Sequence, residues 1–372
     1  MYRLFERPIT KILAIMPMLL SGPLFAQTNE NWNAVNLLIT DDYVIPAYEY
    51  LALKAGELES SAQELCAIEE RGEGADGFAQ QLSEVKSKYH GVMDAWQEIQ
   101  HIQFGPVTYF NWNFRMQYWP DEKGTGSRQL QALVAGQDIE ALESENFGRT
   151  SVGVQGLPAL ENLLFSENSE LELQEAYRCQ VLATISRNIS EISTGIHQRW
   201  RDEFRTTVAN ADERGFFESA EDATIDFLKA LVEPVRRIQE QKVNEVIGDS
   251  PEAVRVRRAE SWRSGRSLRN IRLNVAALNS LFIGSEGEAE RQENALSTVL
   301  LEKDVTIINR LFSELEDKLA ALPDDYASAL AADEGHAEIL KVAENLDALF
   351  ESMEAALKNT DLYLGFNSLD GD

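Results

Sequence analysis

Residues 151–165 read Ser-Val-Gly-Val-Gln-Gly-Leu-Pro-Ala-Leu-Glu-Asn-Leu-Leu-Phe. A glycine-bearing loop turns here into a helix: Pro158 takes the first helical position, where its missing N–H costs nothing, and Glu161 falls within the first turn. A carboxylate so placed sits near the positive end of the helix dipole. The same place suits a metal or anion site, which makes Glu161 the first candidate ligand.

On both sides of this stretch the apolar residues keep the helical period. From Trp32 to about Arg71, residues such as Leu37, Tyr48, Leu51, Leu58 and Leu65 recur mostly at intervals of three, four and seven. Arg71 to Gly77 breaks the pattern, and a second helix is predicted from about Phe78 to Phe104, ended by Gly105-Pro106. A short helix over Gln129–Leu142 precedes the quoted stretch. Beyond it, helices are predicted over Glu172–Phe204, Phe216–Ile247, Val254–Phe282, Asn294–Leu322 and His336–Leu357, with Ser285 to Glu290 a loop. No segment alternates as a strand does. The fold class is therefore all-α, with helices long enough for two bundles: residues 27–210 and 211–372, divided at the polar stretch Asn210–Gly215. A weak echo of Asp94-Ala95-Trp96 in Glu260-Ser261-Trp262, and of residues 158–165 in 276–282, suggests an ancient duplication of one bundle.

The first 26 residues differ in kind. Arg3, Arg7 and Lys11 precede the apolar run Ile12–Leu20, and Leu24-Phe25-Ala26 supplies a small residue for cleavage before Gln27. This is the pattern of a secretory signal, too short and too broken by proline and glycine for a membrane span. The chain carries 62 acidic against 34 basic residues, a formal charge of −28, and removal of the leader makes it more negative still. Such a field repels nucleic acid and anionic lipid and favours cations or basic partners. An exported chain meets an oxidising compartment, so its two cysteines, Cys66 and Cys179, are expected to form a disulfide. The alternative is a pair of buried free thiols.

Chemistry-bearing motifs are sparse. None of the four histidines lies in a His-Glu-x-x-His pattern, and phosphate loops, dinucleotide fingerprints and nucleophile elbows are absent. His101 follows Trp96 toward an aromatic section, Tyr109 to Trp119, that surrounds the single Arg115. That section reads either as core packing or as the lining of a binding cleft. Seven arginines between Arg255 and Arg272 read either as a carboxylate or phosphate site or as partners for the surplus acids.

Four pieces of the chain are similar to one known family. They are Gly156 to Phe165, the run Ala259-Glu260-Ser261-Trp262-Arg263-Ser264-Gly265-Arg266-Ser267-Leu268, the C-terminal Leu364 to Asp372, and Phe104-Gly105-Pro106 through Tyr118-Trp119-Pro120-Asp121. They resemble the imelysin-like family of exported, iron-regulated bacterial proteins, named after an insulin-cleaving metallopeptidase. The resemblance implies two helical-bundle domains with a Gly-x-His-x-x-Glu motif near their interface. A His and a Glu three apart on a helix face the same way and share one cation. Here the motif reads Gly156, Pro158, Glu161, with proline at the histidine position, and the two-ligand grip is lost.

The expectation that follows is an exported, non-enzymatic imelysin-like protein of the periplasm or outer-membrane surface. It would serve iron acquisition by binding iron or another divalent metal, a small metal-loaded ligand, or a periplasmic or outer-membrane protein partner at the inter-domain cleft. Gly156, Glu161, Arg115, Arg263 and Arg266 are the candidate ligand contacts. Glu161 and His101 are the candidate metal ligands, with Asp370 or Asp372 in reserve. The alternatives are a metallopeptidase of the family with a rearranged metal site, and a structural or interaction scaffold.

Overall fold

In the helix α2 (Ile45–Cys66), Tyr48, Leu51, Ala55, Leu58, Ala62 and Leu65 are buried at alternating spacings of three and four. That spacing puts them on one stripe of the helix. The stripe packs on α6 (Ala176–Arg199), whose Leu182, Ile185, Ile189, Ile192 and Ile196 repeat the same rhythm, and on α3 (Gly74–Ile99). Burying each such Leu or Ile contributes about 1.5–3 kcal/mol. The computed structural model describes residues 29–68, 74–212, 215–284, 295–332 and 334–360. The secretory-signal pattern, the 285–290 loop, Asp370 and Asp372 therefore lie outside the described residues.

Among the described residues there is no strand. The remaining long helices are α1 (Asn29–Ile39), α4 (Thr125–Gly136), α5 (Leu157–Phe165), α7 (Ala220–Arg237), α8 (Ser267–Ile283), α9 (Glu302–Ala320) and α10 (Gly335–Asn359). Helices α2, α3 and α6 pack together in the N-terminal part, and α7 to α10 pack together in the C-terminal part. Helix α1 joins the two. It runs into α2 through a π-turn, Thr40–Val44, yet packs against α7. Buried Asn36 makes the junction specific: its Nδ2 donates to Ala220 O at 2.7 Å and its Oδ1 accepts from Thr224 Oγ1 at 2.8 Å. A second junction is α3 against α8, where Asn274 Nδ2 donates to Gln97 O at 2.7 Å.

Cys66, at the end of α2, is bonded to Cys179 in the first turn of α6, the pairing expected above. The bridge closes a separation of 113 residues, for which chain-entropy arguments give about 4–5 kcal/mol of stabilisation.

Two local expectations are corrected. The helix predicted from Val254 starts only at Ser267, because residues 254–266 form turns and a single 3-10 turn, Val256–Arg258. Ser261 at φ 53° and Gly265 at φ 68° take left-handed backbone there, which a helix does not contain. The helix predicted over Phe216–Ile247 starts at Ala220 as α7, carries Pro234, which removes one helical N–H, and widens after Arg237 into a π-turn, Ile238–Asn244. That turn brings Lys242 into the interior.

Candidate functional site

Gly156 is the N-cap of α5 and is extended, not left-handed. Its requirement is space: a Cβ added there would lie 2.2 Å from Met116 O and 2.3 Å from Arg115 O. The motif glycine thus lets α5 begin directly against the backbone of the aromatic section. From the helix start at Leu157, Glu161 is the fifth residue. It lies in the second turn, which corrects the first-turn placement and removes the helix-end dipole as its main influence.

Burial replaces that influence. Glu161 is 4% exposed, and desolvation raises its carboxyl above the ordinary glutamate value. Two donors from the facing loop oppose the rise: Oε1 accepts from Ser264 N at 2.9 Å and from Ser264 Oγ at 2.8 Å. The Arg263 guanidinium opposes it as well, while Glu260 adds to it.

Glu161 and Pro158 line a cavity of about 620 Å³. Its walls come from α5, the end of the aromatic section with Tyr118 and Trp119, the π-turn after α7, and the turn segment with Arg257, Glu260, Trp262 and Arg263. Both parts of the chain therefore contribute. Behind the wall lies a buried polar network. Lys242 Nζ donates to Glu260 Oε2 at 2.8 Å, to Asn274 Oδ1 at 2.6 Å and to Gln97 Oε1 at 3.1 Å. Three acceptors satisfy an ammonium completely. Glu260 accepts in addition from Asn270 Nδ2 at 2.9 Å, from Gln97 Nε2 at 3.3 Å and from Gln117 Nε2. Burial pushes the Glu260 carboxyl up, but Lys242 and the amides outweigh it and hold it below the ordinary range.

The other candidates lie elsewhere. His101 is buried, and its Nε2 stands 3.1 Å from Tyr43 Oη. Burial lowers its pKa to about 3, its Nδ1 has no partner among the described residues, and it does not line the cavity. Arg115 is half-buried and is held by neutral amides: Nε donates to Gln155 Oε1 at 2.6 Å and Nη2 to Asn188 Oδ1 at 2.8 Å. Neither it nor Gly156 lines the cavity. Arg266 is buried on Asp94, with Nη1 3.1 Å from His90 Nδ1, and also stands outside the lining. Of the site candidates, Glu161 and Arg263 alone are brought together around this cavity.

The arginine-rich stretch divides in the same way. Arg258 pairs with Glu245 at 2.5 Å, Arg266 and Arg269 share Asp94, and Arg272 pairs with Asp324. Arg257 and Arg263 instead stand over the Trp262 ring, at 5.6 and 4.5 Å from its centroid. The aromatic section splits too: Tyr118 and Trp119 face the cavity, while Tyr109, Phe110 and Trp112 gather around Arg199.

Sequence reasoning missed Lys242. Its signal was available: it stands four residues after Ile238 on the apolar face that also holds Leu231 and Val235. A lysine at such a position requires a buried acid.

A metal shared by a motif His and Glu does not fit these residues. Pro158 offers no donor, and among the described residues no group of three His, Cys, Asp or Glu is placed to hold an ion.

An all-helical chain in which two sets of packed helices meet over a cavity walled by carboxylates, arginines and aromatics is the class of protein defined so far. The imelysin family model matches residues 44–353, and the chain belongs to that family. Iron-regulated protein A of Synechococcus elongatus is 22% identical over 323 residues, covering 84% of this chain and 82% of that protein. Two crystal structures share the fold. An imelysin-like protein from Psychrobacter arcticum aligns with a TM-score of 0.65 at 19% identity, over 91% of this chain and 98% of that one. An iron-regulated protein A precursor from Parabacteroides distasonis aligns with a TM-score of 0.72 at 14% identity, over 89% and 96%.

Proposed function

We propose that this imelysin-family chain is an exported, non-enzymatic binding protein of iron acquisition. Its cavity takes a small metal-loaded ligand, with Glu161 as the central contact. The iron-regulated names of its relatives support the physiological setting. The basic, apolar leader and a relative described as a precursor support export to the periplasm or outer-membrane surface, where a protein partner would receive or deliver the ligand. No helix among the described residues is long and apolar enough to cross a membrane.

The observation that carries the reading is the coincidence of a buried carboxylate with a cavity of ligand size. About 620 Å³ lies within the roughly 300–1,000 Å³ common for small-molecule sites, and Glu161 enters it with one oxygen held by Ser264. A bare ion would need more donors than Glu161 and its neighbours supply. Peptidase chemistry would need the same missing grip.

Calorimetry on residues 27–372 with ferrous, ferric and zinc salts, and with ferric chelates of different charge, tests the proposal. A ferric chelate is expected to bind in the micromolar range and to weaken at least tenfold in Glu161→Ala, with the bare ions no tighter than millimolar. If no chelate and no ion binds better than millimolar, the binding reading fails.

A further inference from the structure

The acidic groups around the cavity are largely occupied by the protein itself. Glu260 holds Lys242, Glu245 holds Arg258, Glu240 stands 3.9 Å from Arg236, Glu161 accepts from Ser264, and Asp121 accepts from the N–H groups of Thr125 and Gly126 at 2.8 and 2.7 Å, while Glu122 is exposed. Arg257 and Arg263 line the same cavity, and neither forms an ion pair with any described residue. In a chain with nearly twice as many acids as bases, two guanidiniums on one tryptophan that form no ion pair, Arg263 only acting at longer range on Glu161, run against the general charge balance.

The placement of Arg263 is imposed by the backbone, while Arg257 reaches the same ring from the exposed turn before it. Ser261 holds left-handed backbone at φ 53° while buried, with its Oγ accepting from Asn270 Nδ2 at 3.1 Å. Glu260, just before it, is anchored in the Lys242 network, and Ser264, just beyond Arg263, is anchored on Glu161. Between these anchors Trp262 is presented half-buried, with one guanidinium standing over its ring from each side of the sequence. Strained backbone of this kind persists where surrounding contacts over-determine it, and it gathers at ligand clamps. Stacking a guanidinium on an indole fixes its plane while leaving its edge N–H groups to donate, and paired edge donors match a carboxylate.

From this we infer that Arg257 and Arg263, held over Trp262, form a carboxylate-binding clamp, so that the cavity takes its ligand as a small anionic, carboxylate-bearing molecule. The inference rests on the binding reading above and narrows it to one charge class. Arg310 on α9 does not line the cavity and pairs with Glu314, which makes it the control.

The test uses residues 27–372 with three probes in calorimetry: citrate, ferric citrate, and the uncharged tris(acetohydroxamato)iron(III) complex. Ferric citrate and citrate are expected to bind, to weaken at least tenfold in the double variant Arg257→Gln/Arg263→Gln, and to change less than twofold in Arg310→Gln. Raising salt from 50 to about 300 mM should weaken the citrate probes and spare the neutral one. Binding of the neutral complex without the citrate probes would overturn the clamp and leave the binding reading standing. Citrate binding that is equal in the double variant and the wild type would also overturn it. If none of the three binds, both readings fall together. Retention of the far-ultraviolet helical signal and of the thermal midpoint in each variant shows that any loss is local.

Discussion

Glu161 shows how position alters a residue's meaning. A glutamate at a helix start is a dipole partner; four residues further on, facing a cavity and roofed by Ser264, it is a desolvated acid. Its pKa is raised by burial, so the native state holds the proton more readily than the unfolded chain. Stability therefore falls as pH climbs from the ordinary glutamate value through the raised one. Glutamine keeps an acceptor for Ser264 and has no charge to bury. Glu161→Gln is expected to unfold at higher urea concentration than the wild type at pH 8, with the gap closing below about pH 4. An equal gap at both pH values would refute the account. Gly156 and Pro158 owe their identity to sterics: one admits the carbonyls of Arg115 and Met116, the other is the second residue of α5 rather than the first and still needs no N–H there.

At the level of elements, α2 and α6 carry the N-terminal part, and the Cys66–Cys179 bridge ties the end of one to the start of the other. Because the bond closes a long loop, Cys66→Ser/Cys179→Ser is expected to lose about 4–5 kcal/mol of unfolding free energy, read from urea denaturation with and without reductant. The variant should be indifferent to reductant, and a wild type equally indifferent would show that the bridge does not constrain the unfolded chain. The segment 254–266 shows the opposite kind of element. Its composition is compatible with a helix, but Glu260 and Ser264 are drawn toward partners on different elements, Lys242 and Glu161. Two left-handed residues are the cost of satisfying both.

For the molecule as a whole, the Lys242–Glu260 pair is the centre of the polar interior. Through Gln97, Gln117, Asn270 and Asn274 it touches α3, the aromatic section, the 254–266 segment and α8. Removing one partner of a buried pair leaves an uncompensated charge and costs about 3–5 kcal/mol. Lys242→Met is expected to destabilise by that amount in urea denaturation, and addition of Glu260→Gln to recover a large share of it. No recovery in the double variant would show that packing, not charge, dominates there. Helix α1 packs on α7 from across the proposed division near residue 210, so a single cooperative transition is the expected form of these curves.

The helices were legible from the chain alone because their causes are local. Apolar spacing of three and four, Gly105-Pro106 after α3 and Pro158 near the start of α5 act within a few residues of themselves. The disulfide was legible because only one pairing exists. The cavity was not, because its parts are neighbours only in space: Ser264 meets Glu161 across 103 residues, and Lys242 meets Gln97 across 145. His101, Arg115 and Arg266 looked equivalent to Arg263 on paper. Tertiary packing separated them by handing the first three to Tyr43, to two amides and to Asp94, while leaving Arg263 on a tryptophan beside the cavity. Burial and long-range partners decide which polar group is used up within the fold and which is kept for a ligand, and neither is a property of the residue's own stretch of chain.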